Sequence, residues 1–480
     1  RPVLITKQHG VFFNMQNSKL VNATRQYDSL TDNGAITHST STNFCVDLFF
    51  IAGASRYMQE SDIIMLWERA RGENKDLAYR ILFWARDCRG GAGEKRFFRV
   101  IAWHISASNP QEWEKVSILT PTFGSWKDFF MIEAVTADTL NYLSTQLEEN
   151  DNANLIAKWF PRKGKWFTGM HKYLGISPKK LRTSLVTLSN TVETQLCEKN
   201  YGSIDYSKVP SIAMNRYRNT FSKRDGERFD EFNLDVLDGK AKVNASVLFP
   251  HMLYQALVNG EDVNAVEAQW KSLPNYMEGS TERILPLCDV SGSMNGLPMD
   301  VSVSLGLYIA ERNEGIFKNA FMTFSENPQM NYITGDNLMD KMAGLARADW
   351  GYSTNLLANF ELILSSALRE ELSQDEMPTK LLIISDMEFD EAGRNTNLDG
   401  IRAAYSSAGY ILPEIIFWNV NGRVGNVPAS SSDANVGLVS GFSPAILTSI
   451  LQGKVTSPYD LMCTAVMNKR YESVTHMLDL

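Results

Sequence analysis

The run Ile284-Leu285-Pro286-Leu287-Cys288, followed at once by Asp289-Val290-Ser291-Gly292-Ser293, constrains this chain more than any other feature. Five apolar residues bounded by turn formers read as a strand buried on both faces, since a strand wet on one side would alternate. Comparable runs recur at 319–324, 380–385, 415–420 and 436–440, with helical stretches at 299–313, 354–371, 399–407 and 444–451. Such alternation predicts a mostly parallel sheet covered on both faces, a Rossmann-like α/β domain over about 280–456. In these folds ligands bind beyond the carboxyl ends of the strands, where Asp289 and Asp386 both fall.

Three segments then share one place in the fold: Asp289-x-Ser291-x-Ser293, Ser353-Thr354-Asn355 before a helix, and Asp386 ending the run Leu381-Leu382-Ile383-Ile384-Ser385. Two carboxylates and three hydroxyls are hard oxygen donors, which suits Mg²⁺ or a similar divalent cation that keeps some of its waters. Asp289, Ser291, Ser293, Thr354 and Asp386 are therefore the candidate ligands. The plainer alternative is an Asx turn and a helix cap. Glu388 and Asp390 lie next to the set, where they would tune its charge, pair with a partner or, least favoured, act as bases.

Upstream, from 43 to about 275, apolar positions recur at three- and four-residue spacing, with Gly or Pro breaks every 15 to 25 residues. Short helices without a strand pattern predict stacked helix pairs, a HEAT-like α-solenoid, with an irregular bundle as the alternative. Residues 1–42 form an N-terminal segment. Ser457-Pro458-Tyr459-Asp460 opens a C-terminal helical stretch over 457–480 whose apolar residues predict docking back onto the helical half.

Charge is divided unevenly. The net charge is -8, yet residues 281–480 hold 13 Lys and Arg against 24 Asp and Glu, so the first part is slightly basic. Between Asp151 and Glu193 there is no acid at all, and Lys158, Arg162, Lys163, Lys165, Lys172, Lys179, Lys180 and Arg182 alternate with Trp159, Phe160, Trp166, Phe167 and Tyr173. Cations neutralise a phosphate backbone and aromatic faces stack on bases, so this segment, with Trp166 as the stacking residue, predicts RNA binding. Arg216 and Arg218, from a basic cluster at 208–228, join the candidate surface. The bland readings are aromatic core positions and ion pairs with the acidic half. Another basic cluster, Arg86, Arg89, Lys95, Arg96 and Arg99, is diluted by Asp87 and Glu94 and reads by default as a solvated helix face or a set of ion pairs, with the lining of an RNA path as the alternative.

The strand-end Asp-x-Ser-x-Ser, the later threonine and the aspartate ending a strand resemble the metal-ion-dependent adhesion site of a von Willebrand factor A domain. Asp205-Tyr206-Ser207-Lys208-Val209-Pro210-Ser211, Lys240-Ala241-Lys242-Val243-Asn244 and Phe249-Pro250-His251 before it resemble the Ro60/TROVE proteins. The nearer resemblance is to the DUF2828 family, through Ile384-Ser385-Asp386-Met387-Glu388-Phe389-Asp390, Arg86-Asp87-Cys88-Arg89-Gly90-Gly91 and Thr31-Asp32-Asn33-Gly34. The resemblance implies a ring of HEAT-like helices closed by an A domain, non-catalytic, binding small structured or aberrant non-coding RNA. It also implies an alternative, an adaptor whose metal captures a partner's carboxylate.

Other classes find little support. Five cysteines without CxxC spacing argue against a zinc site or a disulfide framework, and six histidines show no HExxH pairing. Gly90-Gly91-Ala92-Gly93-Glu94-Lys95 lacks the GxxxxGK[ST] phosphate loop. There is no signal-peptide core or membrane-spanning run, and a cytoplasmic location is expected.

Overall fold

The computed structural model describes residues 28–149, 151–323, 328–345, 355–390 and 397–479. Its centre is a six-stranded sheet made of β3 (Ile284–Cys288), β4 (Ala320–Thr323), β5 (Met330–Tyr332), β6 (Lys380–Ser385), β7 (Glu414–Asn419) and β8 (Val436–Ser440), in the order β5-β4-β3-β6-β7-β8. Every pairing is parallel except β4 with β5. All residues of β3, β4, β6 and β8 are buried, as their unbroken apolar runs require. Strand order reverses at β3, so a crevice opens at its carboxyl end beside β6, where Cys288 pairs with Ile384. A two-residue hairpin near the start of the described chain, β1 (Ser29–Leu30) with β2 (Ile36–Thr37), runs antiparallel.

Before the sheet the chain is helical, from Phe44–Ala52 to Val263–Lys271. Three hydrophobic cores divide it. The largest joins residues from Ala35 to Ile132 and Ala245 to Met277 with strands β3, β4, β6, β7 and β8 and reaches Val474. A second is confined to 126–185 and a third to 192–265, two helical lobes with cores of their own. The first helices thus belong to the packing of the sheet as fully as to the helical half. Helix Phe44–Ala52 lies against β8, where the Ser440 hydroxyl donates to the Phe49 carbonyl at 2.7 Å and accepts from the Gly53 amide at 2.9 Å. Gly53 is required there, because a Cβ would stand 2.2 Å from the Ser440 carbonyl oxygen.

At the other end, helix Pro458–Val466 begins on a Ser457 cap and buries Leu461, Met462, Ala465 and Val466. Beyond it, Arg470 and the Tyr471 hydroxyl bind the buried carboxylate of Asp87, the latter at 3.0 Å. Arg80 reaches the Thr475 hydroxyl at 2.6 Å. These contacts tie 457–479 to helix Lys75–Arg86. Among the described residues no helix is long and apolar enough to cross a membrane.

Candidate metal centre and basic surfaces

Asp289 leaves the end of β3 fully buried. Its carboxylate accepts from the Ser385 hydroxyl at 2.5 Å and from the Ser291 amide at 2.9 Å. The Ser291 and Ser293 hydroxyls are 3.0 Å apart, and Ser293 reaches Asp386 across the crevice. Asp289, Ser291, Ser293 and Asp386 therefore converge at the strand ends. Thr354 lies outside the described residues. Burial pushes Asp289 above the usual carboxylate range. Burial, then the neighbouring Asp289, push Asp386 up to about 6. Two oxygen anions pressed together out of water, with two hydroxyls alongside, form a donor set that a hard cation fits. Among the described residues no group of three or more His, Cys, Asp or Glu side chains is placed to hold a metal ion.

The crevice has a second wall. Arg423, from the loop after β7, lies 2.6 Å from Asp32, 3.3 Å from Glu388 and 3.5 Å from Asp386. Asn426 donates to Glu388 at 2.9 Å and to the Met387 carbonyl at 3.0 Å. From the N-terminal side, the Asp32 amide donates to Glu388 at 2.6 Å, Asn33 to the Glu388 carbonyl at 2.7 Å and the Thr31 hydroxyl to the Phe389 carbonyl at 2.8 Å. Met387, at φ 68° and buried, holds a left-handed conformation that a side chain of its size rarely adopts. Asp32, Arg423 and Asn426 were not singled out for the site in the sequence. The usable signal was the fold: β7 neighbours β6, so the loop after it must overhang the same crevice.

The basic segment splits by environment. Lys163, Lys172, Lys179, Lys180 and Arg182 are exposed on the lobe with the second core. No ion pair joins the four lysines to an acid among the described residues, while Arg182 lies over the Phe167 ring at 4.7 Å. Lys158 is paired with Glu193 at 2.6 Å and Lys165 with Glu133 at 3.7 Å. Arg162 is partly buried and donates to the Phe160 carbonyl at 2.8 Å. Two expectations are corrected. Trp166 is 2% exposed, packs between Phe129 and Phe130 and donates its indole N–H to the Ile132 carbonyl, so it has no face for a base. Arg218 is 1% exposed and bound to Glu261 at 2.7 Å, a buried strut of the third core's lobe. Arg216 is exposed on that lobe. Two aromatics of the segment do face solvent: Tyr173, whose hydroxyl donates to Asn141 at 3.0 Å, and Trp159, with the Lys127 and Lys158 ammonium groups 5.3 and 5.5 Å from its ring centre.

Comparison with known proteins divides the chain just before the sheet. Residues 172–281 match the domain of unknown function DUF2828, and residues 283–476 match the domain of unknown function DUF7788. The chain carries both domains. The junction falls just before β3, and the candidate ligands Asp289, Ser291, Ser293 and Asp386 lie within the DUF7788 part, whereas Asp32 of the crevice's second wall lies outside it. An uncharacterised protein of Acanthamoeba polyphaga mimivirus is 27% identical over 90% of this chain and 86% of its own length. Among solved structures, the Ro (RSR) protein of Deinococcus radiodurans aligns over 92% of this chain and 96% of its own, at 12% identity and a TM-score of 0.37.

Proposed function

We propose that this protein is a non-catalytic RNA-binding protein whose helical lobe at 126–185 holds the phosphate backbone. The observation that carries the reading is the set of exposed cations Lys163, Lys172, Lys179, Lys180 and Arg182, beside which Glu133 and Glu193 pair with other lysines, Lys165 and Lys158. Four lysines left without carboxylate partners among the described residues suit a polyanion, and such contacts position a nucleic acid without reading its sequence. Trp159, flanked by two lysines, adds a flat face for an unpaired base. That the RNA is small, structured or aberrant and non-coding is the finer reading suggested by the Ro60/TROVE resemblance.

A divalent cation of the Mg²⁺ type belongs to the same proposal. Asp289, Ser291, Ser293 and Asp386 would hold it, and it would supply the positive charge that two buried carboxylates need. The alternative, an adaptor that binds a partner's carboxylate at this ion, meets competition from Arg423, which already serves Asp32, Glu388 and Asp386. The test is purification without nuclease. The protein is expected to leave the first column with excess absorbance at 260 nm that nuclease with high salt removes. A preparation with a pure-protein spectrum throughout, and no binding to added small RNA, would support the adaptor instead.

A further inference from the structure

Helix Lys95–Ser108 forms one wall of a cleft of about 800 Å³, set apart from both the strand-end crevice and the 126–185 lobe's exposed lysines. Residues 96, 99, 100, 103, 104 and 107 share the helix face turned to it. Its two ends differ in chemistry. Lys95, Arg96 and Arg99 stand on the first turns of the helix, with Arg56 in the same lining, and Trp103 stands further along, in a lining that also holds Ile64 and Met131. Trp103 is 51% exposed, an unusual state for so large an aromatic, and lines the cleft.

The cationic end has more positive charge than its acids balance. Glu94 is occupied with Arg56 at 3.1 Å and with capping the helix through the Arg96 amide at 2.8 Å, and Glu60 is a largely exposed side chain 3.9 Å from Arg96. Behind them Arg86 and Arg99 share the single carboxylate of Asp128, at 2.6 and 2.7 Å. Lys95 has no ion-pair partner among the described residues. Burial, and then the charges of Arg86 and Arg99, push its ammonium below the usual lysine range. Arg86, 2% exposed, keeps one terminal nitrogen without any hydrogen-bond acceptor. A buried guanidinium nitrogen without an acceptor is costly, and like charges crowded around one acid call for another anion.

We propose that this cleft binds the phosphate of a nucleotide unit at Lys95, Arg96 and Arg99 while its base stacks on Trp103. A phosphate offers several acceptor oxygens to arginine forks, and the size matches that of small-ligand pockets, about 300 to 1,000 Å³. The same chemistry is presented by a free nucleoside monophosphate and by the phosphorylated end of single-stranded RNA. This site is independent of the exposed lysines at 163–180, so it stands or falls separately from the RNA reading above.

The test is calorimetric titration of the full chain with adenosine 5′-monophosphate, adenosine, inorganic phosphate, and an eight-nucleotide RNA with and without a 5′-phosphate. Lys95→Ala and Trp103→Ala are the variants, since neither side chain supports a core contact, and each is checked for wild-type melting. The monophosphate is expected to bind more tightly than adenosine or phosphate alone, and each variant to weaken it by about fivefold or more, the lower range of losses when a stacking aromatic is removed. A 5′-phosphate that strengthens RNA binding, with the same dependence on both residues, assigns the site to RNA ends; binding of the monophosphate without that effect assigns it to free nucleotide. Binding of neither ligand, or equal binding by both folded variants, overturns the proposal.

Discussion

Asp289 and Asp386 set the terms at the scale of single residues. Each is buried at a strand end, each is pushed upward by loss of water, and the nearby guanidinium of Arg423 relieves Asp386 only in part. A cation that binds the folded state and not the unfolded one stabilises by mass action, so Mg²⁺ added to metal-free protein is expected to raise the unfolding temperature in a saturable way. Asp289→Ala should abolish that response; an unchanged Mg²⁺ shift in the folded variant would contradict the site. The two tryptophans of the basic segment give a matched pair. Trp166→Ala removes a side chain from the second core and is expected to destabilise by about 3 to 5 kcal/mol in urea unfolding. Trp159→Ala should leave stability within about 0.5 kcal/mol and weaken binding of single-stranded RNA more than of duplex. Equal stability losses in the two variants would show that Trp159 is held in the core as well.

At the scale of elements, what the sequence made legible was what local pattern controls. The strands β3, β6, β7 and β8 stood out because burial on both faces leaves an unbroken apolar run. Edge strand β5 did not, because Met330 and Tyr332 are exposed and Asn331 only partly covered. The hairpin of β1 and β2 is two residues long on each side and is fixed mainly by partners some 350 residues away, such as the Thr31 bond to Phe389, which no local window contains. The same distance effect hid the pairing of Lys158: its acid, Glu193, lies just past the segment that looked free of acids. Trp166 was open to correction from periodicity alone, since Trp166, Phe167 and Met170 form the buried stripe of helix Gly164–Tyr173 while Lys165 and Lys172 face water. The aspartates and serines of the crevice were legible because parallel sheets bring strand ends together; Arg423 came in from a loop with no motif of its own.

Across the whole molecule, one core runs from the first helices through the sheet to the C-terminal helix, and two lobes with cores of their own, over 126–185 and mainly 192–243, stand beside it. This arrangement leaves the basic lobe free to present its cations without disturbing the packing that holds the strand ends. The central claim is that exposed lysines on this lobe contact RNA phosphates, and salt dependence measures it most directly. In filter binding of a single-stranded RNA, with Lys163, Lys172, Lys179 and Lys180 all replaced by alanine, the slope of log affinity against log salt is expected to flatten by about 0.7 for each lysine that contacts a phosphate. A folded quadruple variant with wild-type affinity and slope would contradict the account.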